Sequence, residues 1–123
     1  MATLNAVNEY LHTINQSVEN INQGQNYEKY TRPEMIKIIK SSALINDGHL
    51  IRYINMISDA ATRIYYAKDN NSIQLGFFAF NISVDLLKQY LVQHWWQFGG
   101  DQHRSAIADL PDVAELVVNE KEN

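Results

Sequence analysis

Four histidines, His12, His49, His94 and His103, are the side chains best suited to hold a transition metal, because the chain has no cysteine. A zinc or iron site needs its ligands gathered on one face, for example two histidines four apart on a helix with a third ligand nearby. No two of the four stand at that spacing. The nearest approach to a cluster is His94, Asp101 and His103, which could converge across Gly99 and Gly100. Nucleophilic catalysis finds no better start: there is no cysteine thiolate and no G-x-S-x-G elbow. Apart from Gly99-Gly100 the glycines are dispersed, so no phosphate-cradling loop is built. Asp109 and Asp112 form a carboxylate pair of the kind used in acid–base work. They lie in an acidic stretch where solvent would surround them. The expectation is a protein without metal or cofactor, and not an enzyme.

Charge points elsewhere. The net charge is -4. Residues 1–98 carry eight acids and eight bases, so they sum to zero. Residues 99–123 carry six acids, Asp101, Asp109, Asp112, Glu115, Glu120 and Glu122, against Arg104 and Lys121, which is the whole excess. Carboxylates gathered at one end can steer a basic protein toward the chain and set its orientation. Within "HWWQFGGDQH", Trp95 and Trp96 are adjacent, and neighbours on a helix point about 100° apart. Trp95 continues an apolar row, whereas Trp96 shares its side of the helix with Asp85, Gln89 and Val92. Trp96 therefore serves as an aromatic anchor, a residue type enriched at interfaces. Trp96, Asp101, Asp109, Asp112 and Glu115 together make the expected partner-binding set.

Duplex DNA selects for a basic footprint, and this one is thin. The second and third helices carry Lys37, Lys40, Arg52 and Asn55, enough to name a small nucleic-acid-binding regulator as an alternative but an unfavoured one. The most apolar stretch, 73–98, is broken by Asn81, Asp85, Lys88 and Gln89, so no membrane span is expected. The first residues, MATLNAVNEYLHTINQ, lack the basic start and apolar run of a secretory leader. With no cysteines, these features fit a small soluble protein of the cytoplasm.

These groups must be carried by helices. Leu4, Val7, Leu11, Ile14, Val18 and Ile21 alternate spacings of three and four, a narrow seam on a helix over 3–22. The seam fits one helix of a bundle, or else the contact of a homodimer with a structural role. In "YTRPEM", Thr31 and Glu34 have capping-box spacing, Pro33 suits a first turn, and Tyr30 and Met35 suit a staple. A second helix is expected over 32–45. "NDG" at 46–48 then breaks the chain, with Gly48 placed for a left-handed cap. Leu50, Ile54, Ile57, Ala61, Ile64 and Tyr65 stripe a third helix, about 49–67.

Beyond "KDNNS", Ile73, Leu75 and Phe77 alternate, as do Phe78, Phe80, Ile82 and Val84, which also fits strands. The helical arithmetic places Phe80, Val84, Leu87, Leu91, Trp95 and Phe98 in one row, with Leu75, Ile82, Leu86 and Tyr90 nearly opposite. A helix apolar on both faces is expected to be buried on both. The expected fold is all-α: a compact bundle of four to five helices around a central helix near 73–98. The alternative is α+β, with a β-hairpin at about 63–83. One domain spans 1–118 and an acidic tail, 119–123, frays. The expected function is a non-catalytic protein-binding module of the immunity, inhibitor, chaperone or adaptor type.

Overall fold

The computed structural model describes residues 2–23, 27–46 and 48–94, with side chains from residue 6 in the first helix and from residue 31 in the second. These residues form four helices: α1 (Ala2–Gln23), α2 (Tyr27–Ser42), α3 (Ile51–Tyr66) and α4 (Asn70–Gln93). There is no strand among them, so the chain is all-α and the hairpin alternative falls. A fifth helix, the domain limit at 118 and the tail 119–123 lie outside the described residues. Connections are short, and each helix packs mainly on its chain neighbours: α1 on α2, α2 on α3, α3 on α4.

In α1, Val7, Leu11, Ile14, Val18 and Ile21 are all buried in the chain's own core. Tyr10 and Ser17 are buried beside them, which widens the seam into the broad stripe of a packed helix. The expectation that this seam meets a second copy is thereby corrected for those five residues. Leu4 belongs to α1, but its side chain is not among those described. Tyr10 reaches α2, where its hydroxyl lies 3.0 Å from Ser42 Oγ. Ser42 Oγ also lies 2.8 Å from the Ile38 carbonyl, so the serine hydroxyl donates to a shared pair of acceptors, the Tyr10 hydroxyl and that carbonyl. Burial pushes the Tyr10 phenol well above its ordinary value, and the hydrogen bond with Ser42 pulls part of the way back.

The start of α2 departs from expectation. The helix begins at Tyr27, ahead of Thr31, so Thr31 and Glu34 form no capping box. Thr31 is inside the helix and buried, and its Oγ1 has no hydrogen-bond partner among the described residues. Glu34 is buried too and faces α1: Asn20 Nδ2 donates to it at 3.3 Å and Lys37 Nζ at 3.2 Å. Pro33 sits in the interior of α2 and not in its first turn, which costs the ladder the bond to the carbonyl of residue 29. The local cap signals are real in type but are outweighed by Met35, Ile38 and Thr31, which the core needs on one helical face.

The helix ends without a left-handed glycine. The amides of Leu44 and Ile45 bond back three residues, to Ser41 and Ser42, tightening the exit, and Ile45 is buried. Gly48 is exposed and its backbone is not left-handed, so the expected glycine cap is corrected. In α3 the expected stripe is present: Leu50 at its N-cap, then Ile54, Ile57, Ala61 and Ile64, all buried, with Ala60 added.

Helix α4 begins where Asp69 caps it, its carboxylate accepting the Ser72 N–H at 2.8 Å. That bond holds the Asp69 carboxyl below its ordinary value. The seeming alternation after residue 72 resolves into two interleaved helical rows. Ile73, Phe77, Phe80, Val84, Leu87 and Leu91 step by fours and threes and are buried. Leu75, Phe78 and Ile82 step by three and four and are exposed. Gly76 lies on the buried side against α3: a Cβ there would stand 2.5 Å from Ile64 Cγ1. Only a residue without a side chain lets the helices approach this closely. Tyr53 of α3 and Tyr90 of α4 extend the same contact, ring centroids 5.2 Å apart.

Candidate functional site

The outer row of α4 is the largest departure from expectation. It was expected to be buried, with elements packed on both sides of the helix. Instead, among the described helices, α4 makes its major contacts with α3. Leu75 is 64% exposed, Phe78 66% and Ile82 44%, while Leu86 and Tyr90 are half-buried. On a helical projection Asn71, Asp85 and Gln89 fall on the same side, so the apolar centre is framed by polar residues along the axis. An apolar centre with a polar rim is the anatomy of a protein-binding patch. Apolar side chains clustered in the open, as opposed to scattered singly, mark such sites.

The row runs into a groove at the α3–α4 corner. This groove, about 470 Å³, is lined by Arg63, Tyr66, Lys68, Ser72, Leu75 and Gly76. Tyr66 is 68% exposed and its ring stands edge-on to Tyr65, centroids 4.9 Å apart. Arg32 of α2 closes on the corner, donating from Nη2 to the Ala67 carbonyl at 3.4 Å. Arg63, Lys68 and Arg32 thus give the N-terminal end of the row a positive flank, with Asp69 the acid among them.

The sequence-expected partner-binding residues, Trp96, Asp101, Asp109, Asp112 and Glu115, all lie outside the described residues. So do two members of the imagined histidine cluster, Asp101 and His103. His94 is the C-cap of α4: its ring stacks on Tyr90, centroids 4.3 Å apart, with Nδ1 2.9 Å from the Tyr90 carbonyl oxygen. His12 and His49 are exposed, on α1 and in the turn before α3. Among the described residues no three histidine, aspartate or glutamate side chains are grouped to hold a metal ion. Of the bases considered for nucleic acid, Lys37 is tied to Glu34 while Lys40 and Arg52 are exposed.

Sequence reasoning found Leu75 and Ile82 but gave them the wrong environment, and it left Phe78 out of the row. The signal that could have corrected this is the polar framing. Asn71, Asp85 and Gln89 bracket the outer row, whereas the buried side between Ile73 and Leu91 carries only the small residues Gly76 and Ser83 among its apolar ones. No described helix is long and apolar enough to cross a membrane. Comparison of the chain with protein-family models, curated proteins and solved structures found no match.

Proposed function

We propose that this chain is a non-catalytic protein-binding module, and that its contact surface is the outer row of α4. The observation that carries the reading is the exposure of Leu75, Phe78 and Ile82 together on one face of a helix whose opposite face is packed. The occupant is an amphipathic helix of a partner protein, laid along α4 with its apolar side on Phe78. Acids in residues 99–123 give that partner its charge: it is basic, drawn in by Asp101, Asp109, Asp112 and Glu115, with Trp96 as a second anchor. A chain without cysteine suits work in the reducing cytoplasm.

The test is affinity capture from native lysate with four baits: wild type, Phe78→Asp, Trp96→Ala, and a variant neutralised at Asp109, Asp112 and Glu115. The expected result is one stoichiometric basic protein held by the wild type, lost with Phe78→Asp and weakened in the other two. Capture unaffected by Phe78→Asp, in a variant that keeps its helical circular dichroism, overturns the proposal. Light scattering of the same two proteins covers the homodimer: a wild-type dimer made monomeric by Phe78→Asp would give the row to a second copy.

A further inference from the structure

Helices α1 to α4 pack in chain order, each mainly on its neighbours in sequence. The outer row of α4, open among the described residues, is therefore where a following segment would pack. Helix α4 stops at its cap, His94, with residues 95–123 still to come. Those residues contain a short stretch that matches the row. Leu110, Ala114 and Val117 step by four and three, which places them on one side of a helix. Leu75, Phe78 and Ile82 step by three and four. Laid antiparallel, the two sets pair one to one: Leu110 on Ile82, Ala114 on Phe78 and Val117 on Leu75. The smallest side chain of one set then meets the largest of the other, the interdigitation that helix packing favours. Asp109 and Pro111 suit the cap and the first turn of such a helix. Asp109, Asp112 and Glu115 fall on its other side, at 100° per residue. Reach and charge agree with this pairing. Ile82 stands twelve residues before His94 along α4, about 18 Å at 1.5 Å per residue. Leu110 follows His94 by sixteen residues, and extended chain spans roughly 3.3 Å with each, so the return is easily made. Beyond Val117, Glu120 and Glu122, with Lys121 between them, come level with the start of α4, where Arg63 and Lys68 line the groove.

We propose that residues 110–117 of this chain lie antiparallel on the outer row of α4 and cover it until a partner displaces them. As regulation this rests on the partner reading above; as a contact it needs no partner. A tethered segment meets the row at an effective concentration on the order of millimolar, so a contact too weak to form between separate molecules forms within one. The cover is shallow, because the outer row has no notch like the one Gly76 gives the inner row. It exchanges with the open form and adds little to the stability of the bundle. Asp109, Asp112 and Glu115 face outward from it, where a basic partner meets them first. The partner's amphipathic helix then takes the row in exchange for the chain's own.

The chain has no cysteine, so Glu120→Cys gives a single attachment point for a nitroxide in the full chain. The label should quench the amide signals of residues 70–79 and spare those of residues 86–93, the mark of an antiparallel cover. Adding Leu110→Asp with Val117→Asp to the labelled chain should restore the quenched signals, and Phe78→Asp alone should do the same from the other side. Quenching that is absent, or that centres on residues 86–93, overturns the proposal. Labelled chains mixed with unlabelled, isotope-enriched ones should show no quenching; if they do, the row belongs to a second copy and the proposal falls. In the lysate capture, the wild-type chain carrying Leu110→Asp with Val117→Asp should hold severalfold more partner, and equal capture removes the regulatory role. Quenching as expected with no protein captured by any bait would leave the contact standing and remove the partner reading instead.

Discussion

The two faces of α4 are built from the same kinds of residue and meet opposite fates. The inner row, Ile73 to Leu91, is buried against α3; the outer row, Leu75, Phe78 and Ile82, is open. Hydrophobicity alone therefore does not say which face the fold uses. What separates them is continuity and fit. The inner row is unbroken over the helix, and Gly76 notches it so that Ile64 can come close. The outer row is short, framed by polar side chains, and has no such notch. One face is shaped for a helix of the same chain, and the other is shaped as a patch.

Substitutions sharpen this contrast in order of size. Phe80→Ala removes a buried aromatic from the inner row and should cost about 3–5 kcal/mol, read from the midpoint of urea unfolding. Gly76→Leu places a branched side chain where a Cβ alone would meet Ile64. It should destabilise by about 1–3 kcal/mol, the usual penalty of overpacking, despite leucine's better helix propensity. A milder loss for Gly76→Leu than for an exposed control would mean that α3 and α4 do not approach closely.

Tyr10 gives a smaller effect with a pH signature. Its folded value lies above the unfolded one, so its contribution to stability is fully present below about pH 10. That contribution is lost as pH rises through the raised folded value, because the unfolded chain gives up the proton more readily. Tyr10→Phe should cost about 1 kcal/mol at neutral pH through its lost bond to Ser42. It should also flatten the alkaline decline that the wild type shows. Parallel pH–stability curves for the two proteins would place the Tyr10 hydroxyl in water and not in the core.

Much of the helical frame was legible. The stripes of α1 and α3 stand out because apolar and polar residues alternate cleanly around the helix, and the structure buries the residues they mark from Val7 to Ile21 and from Leu50 to Ile64, with Tyr65 half-buried. Tyr10 and Ser17 escaped notice because their polar atoms disguise side chains that the core accepts. The start of α2 was misplaced for a tertiary reason. Thr31 and Glu34 carry the chemistry of a cap, but burying Thr31 and tying Glu34 to Asn20 require helix on both sides of them. The candidate site was half legible. Periodicity assigns Leu75 and Ile82 to a face, but no pattern within one helix says whether another element covers that face. The groove at the α3–α4 corner had no sequence signal at all, since Arg63, Lys68 and Leu75 come together only through the fold.

The measurement that bears most directly on α4 is urea unfolding of the double variant Leu75→Asp with Phe78→Asp. If the outer row faces solvent, the two charges should change stability by no more than about 0.5 kcal/mol each, as at ordinary surface positions. A loss of several kcal/mol, in the range of Phe80→Ala, would show that the row is covered too firmly in the folded chain to be a surface offered to a partner.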